Sequence, residues 1–244
     1  MLRFFHNIRK STLMSNHISK YLAYAIGETL LVVLGILIAL QVNNWNENRI
    51  QKKEEVRILV SIKEEVQQAI TSREKIRDTY QGKKDQLSSA LDKLYSDTPQ
   101  SISDEECYAI FQSHMTSWNP FTVSTLEELV TTGKISILSN DELRKLLLTF
   151  RNLGNSNQSR VEKVLYEAIV LVDEFPLLIE RNWDPSAQES QFTCNAEAMK
   201  KNKYFLAQLQ SNWGRMTSPI GVASLELEML NKILKQLDEE IKLQ

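Results

Sequence analysis

The sequence contains few of the residues that make tight turns. Only 7 of its 244 residues are glycine and 5 are proline. A β-sandwich or barrel of many short strands needs turn residues at frequent intervals, so this scarcity argues against those folds. A chain of this length can bury a sizeable core within one or two domains. The composition therefore favours long helices.

Cysteine and net charge are also scarce. The two cysteines, Cys107 and Cys194, are too few for a disulfide framework and form no CxxC motif, which excludes a zinc ribbon and a thioredoxin-type site. They either form one disulfide or remain as two buried thiols. The formal net charge is −2, so the totals give no reason to expect a nucleic-acid partner.

Catalytic motifs are missing as well. The chain has no HExxH, GxSxG, GxGxxG or Walker A sequence. His114 shares a helix face with Cys107, but two turns put roughly 10 Å between them, too far for a hydrogen bond between a nucleophile and its base. We therefore predict a protein that is not an enzyme, with no catalytic residue, metal site or cofactor.

The chain does contain one long apolar segment. Between Tyr21 and Val42 the only charged side chain is Glu28. About 22 helical residues span roughly 33 Å, close to the thickness of the hydrocarbon core of a bilayer. Tyr24 lies at one end of the segment and Trp45 at the other, where interfacial aromatic residues belong.

Three interpretations of this segment compete. A core helix of a soluble domain is usually shorter and amphipathic. A cleaved signal peptide has a shorter stretch before its apolar run and an A-x-A site after it, and no such site follows Leu40. We therefore predict an uncleaved transmembrane helix at residues 21–43.

Basic residues flank the segment equally, so their number does not decide its orientation. A short amino-terminal tail, residues 1–20, stays in the cytoplasm easily, whereas a large carboxyl-terminal domain can be exported whatever its charge. We therefore expect the amino terminus inside and the domain outside. The basic tail either lies as a short helix on an anionic leaflet or is simply solvated.

Glu28 shares one face of the predicted helix with small residues. At about 100° per residue, Tyr24, Leu31, Gly35 and Ala39 all fall within about 60° of it. Gly35 and Ala39 have the small-xxx-small spacing that lets helices approach closely. A charged carboxylate deep in lipid costs ~2.5 kcal/mol or more, so this face should meet protein or water. Either Glu28 hydrogen-bonds a neighbouring helix, or it lines an ion or proton path.

The next segment, residues 44–95, has the spacing of an amphipathic helix. It is either one helix continuing from the membrane or two helices broken at Gly82. It forms a parallel stalk in an oligomer or the first helix of an antiparallel bundle, and the interruptions at Arg73, Lys83 and Lys84 favour the bundle. Its apolar or bulky positions are Leu59, Ile62, Val66, Ala69, Ile70, Ile76, Tyr80, Leu87, Leu91 and Leu94.

Residues 96–244 form the predicted extramembrane domain, and four S-x-x-E sequences in it can make helix-starting capping boxes. The boxes begin at Ser103, Ser124, Ser139 and Ser159.

Gly133 and Gly154 should end helices, because glycine adopts the left-handed conformation readily, and Pro176 should kink or end another. The stretch "NWDPSAQESQFTCN" indicates a loop, and we find no convincing alternating run. The predicted helices lie near residues 104–115, 124–132, 140–153, 159–180, 195–213 and 219–243. The predicted fold class is all-α: a transmembrane helix that continues into a long amphipathic helix and an antiparallel helical bundle.

Three stretches carry a family resemblance: "FFHNIRK" in the tail, "SKYLAYAIGETLLVVLGILIALQVNNWNENR" in the anchor, and "STLEELVTTGKISILSNDELRKLL" in the domain. They resemble an uncharacterised family of single-pass bacterial membrane proteins that is abundant in Bacteroidota. The resemblance implies an anchor in the bacterial inner membrane and a helical domain. It implies no catalytic residue.

Aromatic residues beside predicted loops are the candidate ligand or partner sites. Such side chains either line a pocket or cover the end of a helical core. They are Trp118, Phe121, Trp183 and Trp213.

Together these features predict a non-enzymatic binding, scaffold or sensor protein of the envelope. Its expected partners are the lipid bilayer, further copies of itself and an envelope protein. The alternative is an oligomeric channel or proton-conducting assembly lined by Glu28.

Overall fold

The computed structural model describes residues 17–98, 100–115 and 121–243, and the chain divides into two compact units, residues 1–54 and 55–244. The first helix, α1 (His17–Tyr95), contributes to both units. Of the two alternatives for this segment, a single helix is observed, and Gly82 lies within it. The predictions for the basic tail concern residues that lie mostly outside the described ranges.

Besides its part of α1, the second unit contains two further long helices and a set of short elements. They are α2 (Asp104–Phe111), a 3-10 turn (Gln112–His114), α3 (Ser124–Thr131), a 3-10 turn (Ile135–Ile137), α4 (Asp141–Tyr166), α5 (Leu171–Glu174), β1 (Ile179–Asp184), β2 (Glu189–Cys194), α6 (Ala196–Lys201), α7 (Lys203–Arg215) and α8 (Thr217–Leu243). The predicted all-α class is confirmed, apart from the β1–β2 hairpin.

The order of contacts shows that α8 runs antiparallel to α1. The Lys63 ammonium of α1 lies 2.6 Å from an Asp238 carboxylate oxygen. Lys84, further along α1, donates to Thr217 at the start of α8. The contacts of α4 with α8 follow the same reversed order. The three long helices therefore form the antiparallel bundle predicted from the periodicity of the sequence.

The buried apolar residues of the second unit form two clusters, which we call core A and core B. Core A comprises Leu59, Ile62, Val66, Ala69, Val123, Leu126, Leu129, Leu138, Leu143, Leu147, Phe150, Leu230, Ile233 and Leu237. Core B comprises Leu87, Ala90, Leu91, Leu94, Ala109, Ile110, Leu171, Phe175, Leu178, Ile179, Met199, Phe205, Leu206, Leu209 and Met216.

The hairpin corrects the prediction of a loop between the last helices. β1 and β2 pair antiparallel, beginning with Ile179 opposite Cys194. Side chains of β2 alternate between exposed and half-buried, but only two of its six residues are apolar or cysteine, so the pattern was too weak to recognise. Packing against α2 stabilises β2, because Phe192 stacks on Phe111 of α2 with ring centroids 3.7 Å apart.

The two glycines predicted to end helices behave differently. Gly133 has a φ of +70° and follows α3, as predicted. Gly154 lies inside α4, so the prediction that it ends a helix is wrong. Asn157 and Val161, one and two turns later, are buried. Their packing outweighs the ~1 kcal/mol cost of a glycine within a helix. The predicted helix near 159–180 is not one element: α4 ends at Tyr166, and Pro176 follows the end of α5 at Glu174.

Of the four predicted capping boxes, only the one at Ser103 forms. Its hydroxyl accepts from the Glu106 amide, and the Glu106 carboxylate accepts from the Ser103 amide. Ser159 lies within α4 and caps no helix. The remaining two sites use a carboxylate from another helix.

Two glutamates of α1 accept hydrogen bonds from residues at the starts of later helices. Glu65 accepts hydrogen bonds from the amide and the hydroxyl of Thr125, at the first turn of α3. Glu55 accepts from the amide and the hydroxyl of Ser139, just before α4, at 2.6 and 2.7 Å. Helix starts carry amides without partners, which favour a nearby carboxylate. These contacts fix α3 and α4 on α1.

We expect Glu65→Ala to destabilise the second unit by ~1–2 kcal/mol, because Thr125 loses the acceptor of its amide and hydroxyl. Glu64→Ala is the matched control: Glu64 is the exposed neighbour on α1, and its change should stay within about 0.5 kcal/mol. Denaturant unfolding followed by circular dichroism measures both. Equal effects of the two variants would contradict this role of Glu65.

Candidate functional site

The apolar part of α1 is exposed along its length within the first unit. Its most apolar 18-residue window has a mean hydropathy of 2.2, and none of that window is buried. By length and composition α1 is therefore able to cross a membrane. It is the one such helix among the residues that the structure describes.

The predicted packing face lies on this exposed surface. Tyr24 and Leu31 are 55 and 60% exposed, and Glu28 and Ala39 are exposed as well. A Cβ atom added to Gly35 would meet nothing within 4 Å. The helical geometry therefore presents these five residues on one side of α1, with room for another helix to approach at Gly35.

Polar side chains pair with one another just beyond the apolar segment. The Asn43 amide donates to Glu47, and Arg49 donates to the Asn46 side chain. The Arg49 guanidinium also lies 5.6 Å from the ring centroid of Trp45, in cation–π contact. An aromatic ring with a basic group above it suits the boundary between hydrocarbon and headgroups.

The three candidate aromatic residues that the structure describes do not lie together. Trp118 lies outside the described residues. Phe121 packs on core A and Trp213 on core B. Trp183 stands on β1 and is 64% exposed. The three described side chains therefore do not line a common pocket, which was one of the two alternatives for them.

Trp213 has a structural role on α7. Its indole N–H donates to the Ser88 hydroxyl at 2.8 Å, and the Lys84 ammonium lies 4.5 Å from its ring centroid. The residue therefore ties α7 to α1. Phe121 lines a recess of about 40 Å³, a volume on the scale of one water molecule.

The two cysteines form one disulfide that joins β2 to α2. The Cα atoms of Cys107 and Cys194 are 5.6 Å apart, and Cys107 is buried. Of the two alternatives left by the sequence, the bridge is therefore observed. Cys107 cannot serve as a nucleophile beside His114 while its sulfur is in this bond.

Glu106, next to the disulfide, fastens α2 to α1. Its carboxylate accepts from the Lys93 ammonium and from the Ser89 hydroxyl, each at 2.7 Å, as well as from the Ser103 amide. Burial alone raises the pKa of Glu106. The hydrogen bonds from Lys93, Ser103 and Ser89 and the charge of Lys93 outweigh burial and lower the pKa to about 2.

A buried ion pair is the feature that the sequence analysis missed. Arg73 of α1 donates to Glu226 of α8 at 2.5 Å, and both side chains are only 2% exposed. Asn157 of α4, also buried, donates to the other carboxylate oxygen at 3.0 Å. The sequence marked Arg73 only as an interruption of an apolar stripe. A glutamate at an apolar position of α8 was the available signal for its partner.

Two further features of the described residues concern metal and ligand binding. No group of three or more histidine, cysteine, aspartate or glutamate side chains there is placed to hold a metal ion. An open groove lies at the end of α1, lined by polar side chains. They are Asp85, Ser88, Ser89, Asp92, Lys93, Ser96 and Gln100.

Comparison with protein families identifies a match over more than half of the chain. A family described as being of unknown function, DUF6090, matches residues 28–164. The matched range begins within the apolar segment and extends almost to the end of α4. No curated protein and no solved structure matches the chain. The expected resemblance to an uncharacterised family is thereby confirmed, and no relative supplies an activity.

The lowered pKa of Glu106 predicts a loss of stability in acid. A carboxylate whose folded-state pKa is depressed stabilises the fold above its unfolded pKa, near 4.5, and that stability is lost as the pH falls towards about 2. Glu106→Gln has no carboxylate to protonate, so it should be less stable at neutral pH and lose less stability across this window. Thermal unfolding at a series of pH values measures the difference.

Glu105→Gln is the control, because Glu105 lies on the same turn but is exposed. It should keep the acid-induced loss of the wild type. A Glu106→Gln variant with the full wild-type loss between pH 4.5 and about 2 would show that other groups cause it.

Proposed function

We propose that this chain, which belongs to the DUF6090 family of unknown function, is a membrane-anchored helical protein of the bacterial envelope that acts by binding and not by catalysis. In this proposal α1 holds the chain in the inner membrane and associates with further copies of itself. The second unit then serves as a scaffold or sensor that binds an envelope protein.

The exposure of the apolar segment of α1 carries this proposal. About 22 consecutive residues expose leucine, isoleucine and valine side chains on every side of the helix, and none of the most apolar window is buried. In water such a surface would drive aggregation, whereas a bilayer covers it without any other protein. The polar contacts around Trp45 supply a boundary at one end.

The position of Glu28 supports self-association. An ionised carboxylate in hydrocarbon costs ~2.5 kcal/mol or more unless protein or water meets it. Gly35 and Ala39 lie on the same face, and no side chain of α1 obstructs an approach at Gly35. A second copy of the helix packed there would offer Glu28 a hydrogen-bond partner and would remove it from lipid.

The disulfide supports an extracytoplasmic second unit. Disulfides persist in the periplasm and are rare in the cytoplasm, where thiols are kept reduced. With the second unit outside, the amino terminus lies in the cytoplasm. Among the candidate aromatic residues that the structure describes, Trp183 on β1 is the exposed one, so its side chain is accessible to a partner.

We expect Gly35→Leu to reduce self-association in membranes, because the larger side chain keeps the helices apart. Gly27→Leu is the matched control: it is also a glycine with open space around it, but it points about 100° away from Glu28. Crosslinking of the full chain in liposomes measures the fraction of oligomer. A wild type that is already monomeric there would end the packing proposal.

The same liposomes distinguish the channel alternative, which rests on the carboxylate of Glu28 lying on the packing face. Ion or proton flux that disappears with Glu28→Gln would favour a conducting assembly. The binding proposal expects no flux from a verified oligomer.

For the orientation, alkaline phosphatase fused after Gln244 should be active, since the enzyme needs the oxidising periplasm. A fusion after Lys20 lacks the apolar segment and should be inactive in either orientation, so it is the control for export. An inactive fusion after Gln244 would place the second unit in the cytoplasm.

A further inference from the structure

Each of the three long helices of the second unit contributes to core A, and each carries a buried polar residue beside its core A part. Of the three, only α1 continues into core B. On α1, Arg73 follows the last core A residue and precedes the first core B residue, Leu87. Asn157 lies after the core A residues of α4. Glu226 lies before the core A residues of α8.

These three residues contact one another at a single level of the bundle. Glu226 accepts from Arg73 with one carboxylate oxygen and from Asn157 with the other. We call Arg73, Asn157 and Glu226 the polar layer. Buried residues that belong to neither core lie near it along the same three helices: Tyr80, Val161, Val222, Ala223 and Leu227.

Hydrophobic stability does not explain this layer. Replacing a buried ion pair by apolar residues of similar volume is often neutral or stabilising, because desolvation of the two charges offsets their attraction. Breaking such a pair from one side is costly, because a charge then remains buried without its counter-charge. The pair therefore adds little stability, but it allows only one arrangement of the helices.

We propose that the polar layer is a conformational boundary that divides the second unit into two lobes able to open separately. Opening that begins in one core stops at the polar layer, because continuing further requires the separation of Arg73 from Glu226. Core A and core B are separate clusters, so loss of one core leaves the contacts within the other in place. The proposal concerns the second unit alone and stands apart from the membrane proposal.

Native-state hydrogen exchange of the full chain, at increasing urea below the unfolding transition, tests this proposal. In the wild type, amides of core A and core B should report different opening free energies and different denaturant dependence. In the triple variant Arg73→Met, Asn157→Leu and Glu226→Met, an apolar layer should join the cores. The two sets of amides should then converge on one value, with a thermal midpoint at or above that of the wild type.

Two single substitutions on α8 show whether the boundary depends on the buried charge. Glu226→Gln removes the counter-charge of Arg73 and should lower the thermal midpoint by about 10 °C. Glu228→Gln, on the exposed side of α8, removes only a surface pair with Lys232 and should leave the midpoint nearly unchanged.

Two outcomes would overturn the proposal. One is a wild type in which core A and core B exchange with a single common free energy. The other is a folded triple variant whose cores still open separately. If the triple variant does not fold, the comparison of core A with core B in the wild type decides the matter by itself.

Discussion

The apolar surface of α1, which no described residue of its own unit covers, is the constraint on which the whole interpretation depends. A soluble bundle buries its leucines, isoleucines and valines against other helices, and the second unit does so in two cores. The segment from Tyr21 to Val42 leaves the same residue types exposed on all sides. In the proposed membrane anchor a bilayer covers this surface, and Glu28 is then the residue that needs a partner.

Glutamates organise the second unit around α1. Glu55 and Glu65 receive the starts of α4 and α3, and Glu106 binds α2 to Lys93. Apolar packing alone would let helices slide along one another, whereas a carboxylate that accepts two or three hydrogen bonds permits one position. The chain therefore uses polar contacts to set where helices begin and apolar contacts to hold them together.

Local patterns predicted the elements whose causes are local. The apolar stripes of α1 and α8, the positive φ at Gly133 and the box at Ser103 each depend on neighbours within a few residues. Features that depend on distant residues were not predictable in this way. The hairpin is stabilised by Phe111 of α2, and α4 continues through Gly154 because later residues of α4 are buried. The partner of Arg73 lies 153 positions away in the sequence. For the candidate site, the face around Glu28 follows from helical geometry, while the described aromatic residues pack on different cores or are exposed.

Membrane fractionation of cells that express the full chain tests the central claim most directly. An integral membrane helix should keep the chain in the pellet after an alkaline carbonate wash and release it only with detergent. The account predicts that result, and it predicts that deletion of residues 21–43 makes the remaining chain extractable by the wash. A full-length chain that remains a dispersed, compact monomer in buffer without detergent would contradict it.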